Sequence, residues 1–331
     1  MRVCIFGAGA IGAYLGLELS LAGVDVTLVA RGSHYEFMKK NGVRLRIGVE
    51  EKVSHPHCVN SPEDAGEQDY IFITLKTHTS SSVASELIPL LGPKTSVVTA
   101  QNGLPWWYFY NLDGPWKNHQ LTSVDPNNSQ WDVIGPRRVI GTVIYPAAEI
   151  VSPGIIQLQP HISQNRMPIG ELDGYKSTRV SELSKALINA GFKSPIRKDI
   201  RSDIWVKFWG NLAFNPISAL TGQTLESIAS NPETRLVARK MMLEAQAIAE
   251  LLGVKFKINV DTRIEGARAV GHHRTSMLQD LMLGRPIEIE ALLGSINEIG
   301  KLVKSPTPVI DTVYALLKQR VKDSSLFKHK Q

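Results

Sequence analysis

Arg2-Val3-Cys4-Ile5-Phe6-Gly7-Ala8-Gly9-Ala10-Ile11-Gly12 is the stretch from which the rest of the chain can be read. A short apolar run leads directly into G-x-G-x-x-G, and helix-forming residues follow at 13–21. Between a strand and a helix each glycine has its own task. Gly7 makes the tight turn, Gly9 lets the backbone approach a pyrophosphate, and Gly12 lets helix and strand pack closely. The helix N-terminus then faces the phosphates. The motif alone is weak. The strand-like run at 24–29, arriving on schedule, supplies the context it needs. Gly7, Ala8, Gly9, Ala10, Ile11 and Gly12 are therefore candidate cofactor-binding residues, and the N-terminal part is expected to be an α/β, Rossmann-type dinucleotide-binding domain.

The end of that second strand selects the dinucleotide. It reads V-T-L-V-A-R-G-S, with Arg31 where an NAD-binding chain usually carries a carboxylate for the ribose 2′-OH. A guanidinium can pair bidentately with a 2′-phosphate, which a carboxylate would repel. NADP(H) is the expected cofactor. The plainer alternative makes Arg31 an ordinary surface arginine.

Outward from this region, strand-like runs at 70–75, 95–99 and 139–144 alternate with helix-like ones, implying a mostly parallel sheet with helices on both faces. Ligands of such sheets bind beyond the carboxyl ends of strands. The loops Leu75-Lys76-Thr77-His78 and Ala100-Gln101-Asn102-Gly103 fall there, so Lys76 and Asn102 could reach the nicotinamide end. Asn-Gly is also a common turn, so Asn102 could be no more than that.

From about residue 180 the periodicity becomes helical, with helices expected at 201–219, 232–252, 261–270, 286–303 and 308–321. The expected division is 1–180 for the dinucleotide domain and 181–331 for an all-helical substrate-binding domain. In D-I-W-V-K-F-W-G-N-L-A-F-N-P, Lys207, Asn211 and Asn215 are spaced four apart on an apolar helix. They share one face. Burying an ammonium and two carboxamides is costly unless something satisfies them, and a small anionic carbonyl compound would. The bland reading has Lys207 snorkelling to solvent and the asparagines capping. Ser276, in H-R-T-S-M-L-Q-D-L, and Glu288 and Glu290, in G-R-P-I-E-I-E, are further polar candidates. The two glutamates cannot share a helical face. Pro286 suits a helix first turn.

Composition closes off other classes. At 331 residues the chain suggests two domains, and 43% hydrophobic with 21% charged residues is a globular composition. No apolar run approaches the ~18 residues of a membrane span. A net charge of +6, scattered rather than striped, argues against nucleic acid as partner and suits a nucleotide and an organic acid. The terminal K-H-K at 328–330 reads as a solvated tail. Cys4 and Cys58 make no disulfide framework, and a cytoplasmic location is expected by default. No metal is expected: His55-Pro56-His57-Cys58 and His272-His273 lack a second cluster at ligand spacing.

Taken together, G-A-G-A-I-G at 7–12, Leu75-Lys76, Asn102-Gly103, W-V-K-F-W-G-N-L-A-F-N-P-I-S-A-L-T at 205–221, T-S-M-L-Q-D-L at 275–281 and P-I-E-I-E at 286–290 resemble the ketopantoate reductase (2-dehydropantoate 2-reductase) family, in the family's order and across most of the chain. The resemblance implies a helical second domain like the C-terminal domain of 6-phosphogluconate dehydrogenase. It implies NADPH-dependent reduction of a 2-oxo acid to a 2-hydroxy acid, most simply ketopantoate to pantoate in pantothenate biosynthesis. Lys207 would be the general acid, and Glu288 would orient substrate and the reacting end of the cofactor. Asn211, Asn215 and Ser276 would bind substrate, and Asn102 both ligands. Lys76 and Ala147 would lie near the cofactor, and Arg31 would hold its 2′-phosphate. The alternatives are a related reductase of another 2-oxo acid or carbonyl, and a non-catalytic NADP(H)-binding sensor.

The chain departs from the family pattern in two places. After Thr221 it reads G-Q-T-L-E, without the N-G-x-L substrate contact of some members. Between Asn102 and Val139 it carries a long connection holding Trp106, Trp107, Trp116 and Trp131, four of its six tryptophans. Long loops in compact domains are usually functional or disordered, and so many aromatics speak against disorder. The expectation is either an aromatic lid, residues 105–116, selecting a substrate beyond ketopantoate, or padding of a domain or homodimer contact.

Overall fold

The computed structural model describes residues 1–159 and 165–327, so the 328–330 tail lies outside the described residues. The first half runs β1 (Arg2–Phe6), α1 (Ala10–Leu21), β2 (Asp25–Val29), α2 (Gly32–Asn41), β3 (Val43–Ile47), β4 (Glu50–Ser54), β5 (His57–Val59), β6 (Gln68–Ile73), α3 (Thr77–Ser82) and β7 (Leu91–Thr99). After an irregular stretch come α4 (Ser129–Ile134), β8 (Val139–Thr142), β9 (Ala148–Ser152), β10 (Ile155–Leu158), β11 (Ile169–Glu171) and α5 (Thr178–Asn189).

Seven of these strands form one sheet in the order β11-β8-β7-β6-β1-β2-β5, parallel except where β11 runs antiparallel to β8. The order reverses beside β1, so the glycine motif leaves the sheet at the switch point where such folds bind ligands. Val3, Cys4, Ile5, Ile71, Phe72 and Ile73 are fully buried. A sheet covered on both faces needs such unbroken apolar strands rather than alternating ones. Cys4 and Cys58 are buried free thiols, their pKa values pushed up by burial to about 12 and about 11.

A second sheet, β4-β3-β10-β9, was not anticipated. β3 pairs antiparallel with β4 and parallel with β10, which pairs antiparallel with β9. It packs on the side of α1 that a surface helix would give to water, which is why α1 is buried from Gly12 to Leu19. Glu18, a carboxylate on the buried part of α1, accepts from Lys52 Nζ of β4 at 2.8 Å, as a nearly buried charge requires.

The aromatic connection is corrected more sharply. Trp106, Trp107, Tyr108 and Phe109 are at most 2% exposed, so they form neither a lid nor a subunit surface. Trp107 Nε1 donates to Thr99 Oγ1 at the end of β7 (2.8 Å), and Gly141 of β8 offers no side chain where the indole lies. Large apolar area drew the segment into the interior, at the cost of a buried Trp106 indole N–H that finds no acceptor among the described residues.

The compact units divide after Ile200, not at 180/181. The amphipathic α5 reads as helical sequence but packs on β11 and α1, so it belongs to the first unit. The second unit takes the described chain from Arg201 onward, together with Asn102–Leu104 and Leu121–Val124. It contains α6 (beginning at Ile200, Ile200–Thr221), α7 (Leu225–Ser230), α8 (Pro232–Leu251), α9 (Val260–Arg268), α10 (Ser276–Met282), α11 (Ser295–Leu302) and α12 (Pro308–Phe327). Side chains cap these helices: Thr224, Asn231, Asn259 and Thr275 each accept from first-turn amides. Pro286 does not open a helix as expected. Residues 285–288 take no regular secondary structure, and Glu290–Gly294 forms a π turn leading into α11.

Candidate active site

In the first unit the phosphate cradle follows from three glycines in three different situations. Gly7 has φ +104°, a left-handed value that disfavours a side chain, and a Cβ there would also meet Leu75 at 2.6 Å. Gly12 could not carry a Cβ either: it would come 2.4 Å from the Gly7 carbonyl and 2.9 Å from Ile5. Gly9 faces nothing within 4 Å. It is also the N-cap of α1 and offers no side-chain cap, so the first-turn amides of Ala10, Ile11 and Gly12 are left for an external acceptor. Ala8 is buried, its amide donating to the Val29 carbonyl. The loop is braced from outside the motif by Thr74 Oγ1, which donates to the Gly7 carbonyl at 2.6 Å. These features fit the phosphates of a dinucleotide: an uncapped helix end, and open space at the one glycine that needs no room for its own fold.

Arg31 caps the entry to α2 directly after β2, and its guanidinium is held by the Glu86 carboxylate in an exposed pair. Lys76 is the N-cap residue of α3, after β6. Ala147 lies beyond β8, its carbonyl accepting from Gln159 N. Gln101 Nε2 ties the loops after β6 and β7 together by donating to the Leu75 carbonyl (2.7 Å) and Ser80 Oγ (3.0 Å), a role that no sequence pattern announced.

The second unit holds the other group. Lys207 lies on α6, half-buried, and its Nζ donates to Asn102 Oδ1 at 2.7 Å. Asn102 therefore stands with the helical unit, although the chain reaches it directly from β7. Burial draws the Lys207 pKa down from 10.5 to about 8, and the negative charge of Glu288 opposes that fall. Glu288 itself lies just before the π turn, outside any helix or strand, in a tight turn where the Ile289 amide donates to the Ile287 carbonyl at 3.0 Å. The second acid faces elsewhere: Glu290 accepts from Tyr314 Oη at 2.6 Å, and Gly294 leaves room for its carboxylate to fold back.

Asn211 and Asn215 follow Lys207 at helical spacing. Asn215 is 8% exposed, yet neither carboxamide has a hydrogen-bond partner among the described residues. Both asparagines lie within α6 rather than at its ends, and the Lys207 ammonium is turned to the Asn102 carboxamide. Ser276 is exposed at the start of α10, beside its capping Thr275. Where the N-G-x-L contact is missing, Thr224 caps α7 instead.

Gly103 follows Asn102 in the Asn-Gly pair and is more than a plain turn residue. Its φ is +91°, and a Cβ would meet the Ala291 carbonyl of the π turn at 2.6 Å. The turn and the glycine together place Asn102 against Lys207. Asn-Gly was visible in the sequence, but the π turn, a device often found at functional sites, has no sequence signature.

Two family models cover most of the chain: ketopantoate reductase PanE/ApbA over residues 3–106, and ketopantoate reductase PanE/ApbA C terminal over residues 199–321. The 2-dehydropantoate 2-reductase of Mesorhizobium japonicum is 51% identical over 96% of this chain and 97% of its own. The crystal structure of 2-dehydropantoate 2-reductase from Geobacter metallireducens GS-15 superposes with TM-score 0.84 at 28% identity, covering 97% of this chain and 100% of that one. D-mandelate dehydrogenase, solved with NADH and anilino(oxo)acetate, shares the fold at TM-score 0.83 and 18% identity, over 98% and 99% of the two chains.

Proposed function

Because this chain belongs to the ketopantoate reductase family, we propose that it reduces 2-dehydropantoate to the corresponding 2-hydroxy acid with NADPH. The observation that carries the reading is the Lys207 ammonium, hydrogen-bonded to Asn102, influenced by Glu288 and followed along α6 by two carboxamides that have no hydrogen-bond partner among the described residues.

A bound reduced nicotinamide supplies the hydride. The residues of the chain do the rest. Lys207 stabilises the negative charge growing on the ketone oxygen and donates a proton to it. With a pKa of about 8 the ammonium is mostly charged at neutral pH and still gives up its proton more readily than an exposed lysine. Asn102 accepts one of its three hydrogens and so fixes the direction of the others. Asn211, Asn215 and Ser276 donate to the substrate carboxylate, and Glu288 keeps Lys207 charged and orients the ligands. Gly7, Ala8, Gly9, Ala10, Ile11 and Gly12 hold the pyrophosphate, with Lys76 and Ala147 alongside.

Arg31 holds the 2′-phosphate in this reading, displacing Glu86. The exchange is favourable by magnitude: an exposed ion pair is worth about 0–1 kcal/mol, a charge-assisted hydrogen bond to phosphate about 1.5–3 kcal/mol. Burial of Trp106 to Phe109 removes the reason to expect a bulkier substrate.

The decisive experiment is a panel of 2-oxo acids assayed by nicotinamide absorbance with NADPH and NADH. Highest kcat/KM for 2-dehydropantoate with NADPH is expected. A better 2-oxo acid would replace the substrate assignment, and equal efficiency with NADH would remove Arg31 from cofactor selection.

A further inference from the structure

The aromatic connection helps to line a pocket in the first unit. It is an open pocket of about 810 Å³ whose walls include Tyr110, Trp131, Lys94, Arg137, Arg138 and Arg179. Its position separates it from the cofactor site. Lys94 lies at the start of β7, and Arg137 and Arg138 lie in the turn just before β8. These are the amino ends of parallel strands, whereas the glycine motif, Arg31 and Lys76 follow carboxyl ends.

The pocket is strongly and unevenly charged. Four cations line it and no acidic residue does. Arg179 is neutralised by Glu171, at 2.7 and 2.6 Å. The other three have no acidic partner among the described residues. Arg138 Nη1 donates to the Gly92 carbonyl (2.6 Å) and the Thr95 carbonyl (3.3 Å), which orients the guanidinium but leaves its charge uncompensated. Arg137 and Lys94 are exposed and form no ion pair among the described residues. Three uncompensated cations around one concavity raise the local potential and call for a polyanion. The remaining wall is planar. Trp131 is held edge-on by Trp106 (6.0 Å) and Tyr110 (5.9 Å), a fixed ring that is still partly exposed. Rigid aromatic faces beside cations suit a flat ring carried on a charged tail. A pocket of this size lies within the ~300–1,000 Å³ usual for small-molecule sites.

We propose that this pocket binds a nucleoside di- or triphosphate, the phosphates on Lys94, Arg137 and Arg138 and the base against Trp131, at a site separate from the nicotinamide cofactor. The proposal does not depend on the reductase reading.

The test uses the full-length protein saturated with its nicotinamide cofactor, titrated calorimetrically with magnesium-free ATP and, separately, with inorganic triphosphate. Saturable binding of ATP at one site per chain is expected. The double variant Lys94→Glu/Arg137→Glu changes only exposed side chains, so folding and ATP-free turnover should persist while ATP affinity falls about tenfold or more. Trp131→Leu, checked for an unchanged melting profile, should weaken ATP but not inorganic triphosphate. The proposal is overturned if ATP does not saturate at millimolar concentration, or if its binding vanishes once the cofactor site is full. It is also overturned if affinity survives the charge reversal, or if the reversal acts by changing the oligomeric state in sedimentation.

Discussion

Lys207 shows how much one side chain can be asked to do when burial and a neighbouring charge oppose each other. Burial alone favours the neutral amine, Glu288 favours the ammonium, and the balance is a pKa of about 8. Since the protonated form is the acid that works, kcat/KM should be flat around neutrality and fall as pH rises through about 8. Glu288→Gln removes the charge that raises the pKa, so the descent should begin at lower pH. A pH–rate profile of the two enzymes checks both the position and the direction of the shift. Lys207→Ala should lower kcat by ~10²–10⁴-fold while leaving cofactor affinity, measured by fluorescence titration, nearly unchanged. Near-normal turnover in that variant would return the lysine to a structural role. The type and spacing of Lys207, Asn211 and Asn215 were legible as a polar stripe on an apolar helix. That the two carboxamides find no hydrogen-bond partner among the described residues was not, because the partner set of a side chain depends on every element packed around it.

Elements carry their own constraints, and the strand–loop–helix unit at the N-terminus separates two kinds of glycine. A Cβ at Gly12 would meet the Gly7 carbonyl at 2.4 Å, backbone that cannot swing aside. Gly12→Ala should therefore destabilise the fold by about 1–3 kcal/mol, read as a lower melting temperature. Gly9→Ala meets nothing within 4 Å and should melt like the parent. Its effect should appear only as weaker cofactor binding, because the added methyl occupies the space that the pyrophosphate would take. If Gly9→Ala binds cofactor normally, the phosphates lie elsewhere. The same reasoning applies to Gly103, whose positive φ and contact with the π turn hold Asn102 in place. Thus the G-x-G-x-x-G pattern conveyed strand, turn and helix in order, while the bracing by Thr74 and Gln101 came from residues with no periodicity to mark them.

Across the whole molecule, the aromatic connection is the feature that most changed in meaning between sequence and structure. Trp107 is fully buried, and its indole N–H is satisfied by Thr99. Trp107→Ala should cost about 3–5 kcal/mol in chemical denaturation, with KM for the 2-oxo acid unchanged in the protein that remains folded. A large KM effect without loss of stability would restore a recognition role. By itself the sequence determined the dinucleotide motif and the main parallel strands. It also determined the helical character of the second half and the face bearing Lys207, since each is written in spacing and composition within a few turns of chain. The pairing of β3 with β10, more than a hundred residues apart, was decided in three dimensions. So were the passing of α5 to the first unit, the assignment of Asn102 to the second, and the burial of the tryptophans. Each of these turns on which apolar surface finds which partner, and a residue's neighbours along the chain do not contain that information.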